Sequence, residues 1–351
     1  MSKQAVLLVN LGSPDSTDVA DVKRYLAEFL TDERVIDLPF VRKFVVPAII
    51  LNTRPKKSAE AYSTIWTEEG SPLVATSVKQ QQLLQERSDC EIYLAMRYGD
   101  PSIPDILERM VKDGVDEVFL VPLYPQYAMS SYETVVVRVM EVVRERFPDL
   151  KVDTLQPFYK EADYLDVLAE SARGYIDDSV EKLVISFHGI PERHVKLSDP
   201  SHSHCLLTKD CCHVANPAHA TCYRHQCLFT AEALAERLGL PEDRWIMSFQ
   251  SRLGRDPWLM PPSDATIRRL AAEGVKKIKV ICPAFVTDCL ETLEEIAEGV
   301  KEEFIDAGGE SFEQIPCLNE HPGWIQFLHQ RVQDWTKESA EQSSPERAPL
   351  A

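Results

Sequence analysis

The chain has 351 residues and a formal net charge of -18, with 44% hydrophobic and 27% charged residues. This length accommodates one large domain or two medium ones, and we expect two. The negative charge argues against nucleic acid as a partner, because phosphate binding requires clustered Lys and Arg, and it makes cations more natural ligands. The chain starts with an apolar strand instead of a leader and has no long apolar run, so we expect a cytoplasmic protein that does not span a membrane.

The first half alternates strand and helix patterns. Strand patterns lie at residues 6–9, 92–96 and 118–121, and helix patterns lie at residues 18–30, 103–112 and 135–146. The order strand, helix, strand predicts a parallel sheet with right-handed crossovers.

An unusually apolar run, LPFVRKFVVPAIIL, follows the first helix at residues 38–51. Pro47 is expected to break or kink a helix there. Two interpretations stay open: a buried connector, or an exposed surface that touches a membrane or admits a flat apolar ligand, with Arg42 and Lys43 facing lipid headgroups. We call residues 38–57 the apolar lip.

The second half repeats the first in three places. VLLVNLGSP is echoed by KLVISFHGIP, MRYGDP by SRLGRDPW, and residues 113–135 by residues 273–293. We therefore predict two similar α/β domains with doubly wound parallel sheets, at residues 1–165 and 175–320, and a ligand cleft between them. A helix at 321–337 and a disordered polar tail at 338–351 are expected to follow.

Candidate catalytic groups lie at the carboxyl ends of two predicted strands, where open α/β sheets place their chemistry. His188 ends the strand in ISFHGIP, and Asp288 and Glu291 follow the buried run at 280–282. A histidine at a strand end is often structural, but an imidazole opposite a carboxylate suits proton abstraction or metal capture. Glu295 and Glu298 continue the acidic row and are more typical of a solvated helix face.

Five long motifs carry a family resemblance: NLGSPDSTDVADVKRYLAEFL, LAMRYGDP, SFHGIPER, FQSRLGRDPWLMPP and CPAFVTDCLETLEEI. Together they resemble ferrochelatases, the lyases that insert ferrous iron into a porphyrin at the end of haem synthesis. The resemblance implies a chelatase-like fold of two Rossmann-like domains around a porphyrin cleft. It also implies protoporphyrin IX and Fe²⁺ as substrates, with release of two protons.

The resemblance assigns roles to individual positions. His188 and Glu291 correspond to the active-site pair that meets the iron, and Asp288 corresponds to a further acid. The positions implied in porphyrin binding are Leu11, Arg97, Tyr98, Trp258, Phe285 and, on the propionates, Arg54. Cys289 stands where some members have His, so no essential ligand is expected there. The apolar lip falls on the mobile lip of the family.

A cysteine-rich insertion at residues 201–227 contains five of the nine cysteines, together with several histidines. Thiolates this dense predict a metal site, either mixed Cys/His zinc or an iron–sulfur cluster. Some bacterial ferrochelatases resemble this chain in an internal cysteine segment that binds a 2Fe-2S cluster, which we favour. The predicted ligands are Cys205, Cys212, Cys222 and Cys227, with Cys211 as the substitute for Cys227.

Two classes of function remain after this comparison: a porphyrin–iron chelatase, and a non-catalytic tetrapyrrole or metal carrier with the cysteine segment as a sensor. The presence of both His188 and Glu291 favours the enzyme. A nucleotide-binding protein is disfavoured, because no GxGxxG or GxxxxGK loop follows a strand. The apolar lip favours protoporphyrin over more carboxylated porphyrins and predicts peripheral membrane contact, whereas the oligomeric state stays open.

Overall fold

The computed structural model describes residues 3–343, except residues 253 and 255. Its strands are β1 (Gln4–Gly12), β2 (Glu91–Tyr98), β3 (Glu117–Pro122), β4 (Lys151–Thr154), β5 (Lys182–His188), β6 (Trp245–Gln250), β7 (Lys277–Ile281) and β8 (Ser311–Gln314). They form two four-stranded parallel sheets, ordered β2-β1-β3-β4 and β6-β5-β7-β8. The predicted pair of doubly wound α/β units is therefore confirmed.

Helices cover both faces of each sheet, as expected for strands that are apolar on both sides. The α-helices are α1 (Val19–Leu30), α2 (Leu51–Ile65), α3 (Pro72–Gln85), α4 (Ile103–Lys112), α5 (Thr134–Arg146), α6 (Ala162–Arg173), α7 (Glu192–Leu197), α8 (Tyr223–Arg237), α9 (Ser263–Ala272), α10 (Lys301–Asp306) and α11 (Pro322–Ser343). Three π-helical segments lie at π1 (Val41–Ile50), π2 (Met129–Glu133) and π3 (Glu291–Val300). Segments π2 and π3 follow the equivalent strands β3 and β7, so the internal repeat includes the π-helices.

One cluster of buried apolar side chains is shared by the two sheets, and further clusters lie on each sheet separately. A single cluster of buried side chains contains Leu8 of β1, Ile185 of β5 and Trp324 of α11, so α11 packs across both halves. Trp335 of α11 stacks on Phe119 of β3 with the ring centroids 5.2 Å apart. Helix α11 continues to Ser343, past the expected helix end at residue 337. Residues 344–351 of the expected tail lie outside the described residues.

Polar side chains also join the strand ends of the two sheets. Asn10 near the end of β1 donates to Ser77 Oγ at 3.0 Å and to Thr287 Oγ1, after β7, at 3.4 Å. Gln80 Nε2 donates to the same Thr287 hydroxyl at 3.2 Å. These buried contacts hold the end of β1 and the segment after β7 against each other.

The apolar lip is helical and exposed. Segment π1 runs directly into α2 with Pro47 inside it, so of the two expected effects of Pro47 the helix break does not occur, and the helix around Pro47 is π-helical. A π turn is wider than an α turn and pairs different backbone groups, which gives the proline ring room. Phe40, Phe44 and Ile49 are 69%, 61% and 57% exposed, so the lip is not a buried connector. Within the described residues, no helix is long and apolar enough to cross a membrane.

Candidate active site and cysteine cluster

His188 is the last residue of β5 and is half-buried. Its Nδ1 lies 2.6 Å from the Gly189 carbonyl oxygen, and its ring meets Phe285 edge-on with the centroids 6.3 Å apart. The hydroxyl of Tyr223 donates to the His188 carbonyl at 2.8 Å. The imidazole is therefore held at the strand end, beside one of the predicted pocket aromatics.

Gly189 is required by close packing directly behind His188. Its N–H donates to the Gln250 carbonyl at 2.8 Å. A Cβ at this position would lie 2.6 Å from that carbonyl oxygen and 3.3 Å from the Trp258 ring. Only glycine lets the chain after β5 approach β6 this closely. The same contact places Trp258 next to His188, as expected for a pocket residue.

Glu295 is the acidic residue whose role the sequence did not reveal. Its carboxylate accepts from Ser251 N at 2.6 Å and from Ser251 Oγ at 2.5 Å. Burial raises the pKa of Glu295, and the negative charge of Glu291 adds to this, while Ser251 and His188 act in the opposite direction. Glu295 therefore lies among the proposed catalytic groups instead of on a solvated face. Its spacing of four residues from Glu291 was the available signal.

Glu291 begins π3 and lies near the first half of the chain. Its carboxylate charge is close enough to raise the pKa of the Tyr62 hydroxyl, although burial of Tyr62 is the larger cause. Tyr62 belongs to α2, directly after the apolar lip, and packs edge-on against Tyr25. Tyr25 and Tyr62 are thus buried residues near Glu291 that the sequence analysis did not single out.

Asp288 lies in a buried hydrogen-bond network between β7 and π3. Its carboxylate accepts from Thr292 Oγ1 at 2.8 Å and from Asn319 Nδ2 at 2.6 Å. Its backbone N–H donates to Asn319 Oδ1 at 2.9 Å. The structure thus uses the Asp288 carboxylate to fix the turn that presents Glu291, and it does not bring Asp288 into contact with His188.

The predicted porphyrin residues of the first half lie at different depths. Leu11 is half-buried where three apolar clusters meet. Tyr98 is fully buried and donates to Asp32 at 2.9 Å, so it has no exposed surface for a porphyrin in this structure. Arg97 is paired with the same Asp32 carboxylate and donates to Thr134 Oγ1 at 2.8 Å. Arg54 is exposed on α2.

Four cysteines of the insertion form one buried group. The Cys222 side chain interacts with the thiols of Cys205 and Cys212, and the Cys212 thiol interacts with that of Cys211. Cys222 is the N-cap residue of α8, so the group lies at the start of that helix. Arg224 Nη1 lies 3.7 Å from Cys211 Sγ. The interaction with Cys222, followed by burial, raises the pKa of Cys212.

Cys227, the fourth predicted ligand, is fully buried one turn along α8. Its thiol interacts with the Tyr223 hydroxyl, and the charge of Cys212 also reaches it. Burial raises the pKa of Cys227 well above its ordinary value. The substitute set, Cys205, Cys211, Cys212 and Cys222, is the one whose side chains interact directly with one another.

Sequence similarity to known proteins identifies the family of this chain. The ferrochelatase family model matches residues 3–335 of the chain. The chain belongs to the ferrochelatase family. It is 53% identical over 343 residues to a ferrochelatase from Opitutus terrae, covering 97% of this chain and 99% of that one. It is 51% identical to a ferrochelatase from Ectopseudomonas mendocina, covering 93% and 97%.

Among solved structures, the chain is similar to SirB from Bacillus subtilis with Fe³⁺, with a TM-score of 0.56 and 13% identity over 97% of this chain and 98% of that one. At this identity the similarity concerns the fold alone, which is chelatase-like as predicted. As a ferrochelatase, the protein is an enzyme that inserts ferrous iron into protoporphyrin in haem biosynthesis, so the carrier alternative does not apply.

The described residues do not form a preformed metal site. Within the described part of the chain, no group of three or more His, Cys, Asp or Glu residues is placed to hold a metal ion. Zinc and a 2Fe-2S cluster both need four donors directed at one small centre, so this result does not choose between them.

Proposed function

We propose that His188, Glu291 and Glu295 form the reacting face of this ferrochelatase. The observation that carries the proposal is that the end of β6 joins the three residues: Gln250 pairs with His188 and donates to the Glu291 carbonyl at 2.9 Å, and Ser251 donates to the half-buried Glu295 carboxylate at 2.6 Å. Metal insertion requires two pyrrole protons to leave as Fe²⁺ enters. A histidine and two carboxylates at one edge of the cleft supply both proton acceptors and metal ligands.

The surrounding residues support this role through binding and orientation. Phe285 and Trp258 flank His188 and offer flat apolar surface, while Leu11 contributes from the first half. A porphyrin bound between them in a distorted shape presents its pyrrole nitrogens to the base, which lowers the barrier without covalent chemistry. Asp288 and Tyr98 are proposed to act behind this surface, since hydrogen bonds occupy both side chains.

We further propose that the cysteine group binds a 2Fe-2S cluster through Cys205, Cys211, Cys212 and Cys222. Four buried thiols that interact with one another, beside one guanidinium, fit the charge and ligand number of such a cluster. When bound, the cluster would supply a redox-active centre that also organises the insertion. Cys227 is excluded from the ligand set in this proposal.

The exposed apolar lip supports peripheral membrane contact. Phe40 and Phe44 pack on each other with centroids 5.4 Å apart, yet both stay largely exposed to solvent. Lys43 lies between them in the sequence and is exposed, which suits anionic headgroups. The expectation that Arg42 also faces headgroups is wrong, because its guanidinium donates to the Ile36 carbonyl at 2.7 Å and its side chain is only 14% exposed. The lip can therefore rest on a bilayer surface from which an apolar porphyrin enters the cleft.

The test of the catalytic proposal is the His188→Ala variant. Iron insertion into protoporphyrin should be abolished while porphyrin still binds, because the apolar walls remain and the proton acceptor is lost. Porphyrin binding is followed by fluorescence and chelation by haem absorbance. Near-normal turnover would exclude a catalytic role for His188. The absorption spectrum of anaerobically purified protein tests the cofactor proposal, since a 2Fe-2S protein is coloured and a zinc protein is not.

A further inference from the structure

Tyr223 connects the cysteine insertion to His188. It is the first residue of α8, directly after Cys222, and its side chain is only 5% exposed. Its hydroxyl donates to the His188 carbonyl oxygen at 2.8 Å. This carbonyl lies at the end of β5, so the hydrogen bond holds the backbone from which the imidazole projects.

A second side chain interacts with the Tyr223 hydroxyl. The fully buried Cys227 thiol approaches it from one turn further along α8. This contact keeps the hydroxyl in the buried position from which it donates to the His188 carbonyl.

The other end of the connection is the thiol group. Cys222 caps α8 and interacts with Cys205 and Cys212. Gln226 of the same helix donates to the carbonyls of His219 and Ala220, within the insertion, at 3.1 and 3.0 Å. The insertion therefore positions Cys222 at the start of α8. The next residue, Tyr223, then positions His188.

We infer that Tyr223 is a positioning residue that couples the order of the cysteine group to the placement of the His188 imidazole. The inference rests on the proposed function, because it requires His188 to act in catalysis and the cysteine group to hold a cluster. A merely structural role, in which the hydroxyl only attaches α8 to β5, would affect stability and porphyrin binding. Positioning affects the chemical step instead.

The test compares Tyr223→Phe with Tyr159→Phe in the full-length protein. Tyr159 packs its ring edge-on against His225 and Phe229 beside the same insertion. Tyr159→Phe therefore removes a tyrosine hydroxyl from a similar position and serves as the matched control. Tyr223→Phe should keep the visible absorbance, the melting temperature and the KM for protoporphyrin. Its kcat should fall about three- to tenfold, the range for one lost buried hydrogen bond, while Tyr159→Phe leaves kcat unchanged. An unchanged kcat in Tyr223→Phe overturns the inference.

The coupling itself is tested by removing the cluster with a chelator. The wild-type protein should then lose kcat, while Tyr223→Phe should lose a smaller factor, because its link to His188 is already broken. Equal factors in both proteins overturn the inference. A second variant, Cys227→Ala, leaves the tyrosine ring in place and should also lower kcat with the colour retained. If both variants lose the colour, the hydroxyl serves only the fold of the insertion and the inference is overturned.

Failure of the cofactor proposal is distinguishable from failure of the inference. A colourless wild-type protein without iron overturns the cluster and the coupling together. A coloured wild type with an unaffected Tyr223→Phe variant overturns the coupling alone. A fully active His188→Ala protein would instead remove the catalytic role on which both depend.

Discussion

Asp37, the residue before the apolar lip, accepts a hydrogen bond from Arg193 Nε at 2.7 Å. Arg193 lies on α7, just after His188, and its Nη1 also donates to Asp256 at 2.6 Å. The pair thus ties the base of the lip to the half of the chain that carries the proposed catalytic histidine. Burial would raise the pKa of Asp37, but hydrogen bonds from Arg193 and His194 hold that pKa below its ordinary value.

Breaking this pair should loosen the lip without altering the reacting groups. We expect Asp37→Asn to release bound porphyrin about two- to fivefold faster, as for a partly exposed ion pair, with little change in iron insertion at saturating porphyrin. Stopped-flow fluorescence measures the release rate. Asp15→Asn, which removes an exposed ion pair with Arg24, is the matched control. Equal release rates from wild type and Asp37→Asn would show that the pair does not restrain the lip.

The same contact predicts a pH dependence of stability through His194. Its side chain is 2% exposed, its Nε2 lies 3.1 Å from Asp37 Oδ1, and its Nδ1 has no partner. Burial lowers the pKa of His194, and the Arg193 charge adds to this, although Asp37 and Glu133 oppose it. As the pH falls through about 6.5, His194 therefore takes up a proton in the unfolded chain before it does so in the folded chain. The free energy of unfolding decreases below that pH.

The prediction is tested with His194→Gln. Between about pH 7 and pH 5, the wild-type melting temperature should fall more steeply than that of the variant, which has no imidazole to protonate. His213→Gln, at an exposed site of the insertion, should keep the wild-type slope. Parallel curves for wild type and His194→Gln would mean that His194 titrates alike in the folded and unfolded chain.

Glu295 and Glu298 provide a matched pair on π3. Glu295 is clamped to Ser251, a non-glycine residue with a φ of 65°, and Glu298 is exposed. A glutamine at 295 cannot reproduce both hydrogen bonds that the carboxylate accepts from Ser251, and it lacks the negative charge beside His188. Glu295→Gln should therefore lower kcat at least about tenfold. Glu298→Gln should change it little. Similar kcat values for the two variants would mean that Glu295, like Glu298, belongs to a solvated face and has no role in the reaction.

Sequence periodicity predicted the sheets well because their strands are buried on both sides, and the three echoes match β1/β5, β2/β6 and β3/β7. It predicted the acidic residues less well. Residues 291–300 form a π-helix, which the apolar pattern does not distinguish from an α-helix. Helical spacing gives Glu295 and Glu298 the same pattern, so the bond from Ser251 that separates Glu295 from Glu298 could not be read from the sequence.

The exposed lip predicts a preference among porphyrins. Replacing Phe40 and Phe44 with Ser should weaken binding to anionic vesicles and slow use of protoporphyrin more than use of a four-carboxylate porphyrin, because only the apolar substrate depends on the bilayer. Ile305→Ser, at an apolar residue that is 41% exposed on α10, is the control for a general loss of surface hydrophobicity. Equal slowing with both porphyrins would separate the lip from substrate choice.

The two ligand sets of the cysteine group make opposite predictions for one pair of variants. If Cys205, Cys211, Cys212 and Cys222 hold the cluster, Cys211→Ser should abolish the visible absorbance of the purified protein, while Cys227→Ser should retain it, since Cys227 is not one of these four ligands. If Cys227 is a ligand, the colours are reversed. Cys90→Ser, in the first half of the chain, should keep the wild-type spectrum and iron content. Iron analysis and absorbance of the three variants decide between the sets, and loss of colour in none of them would place the iron elsewhere.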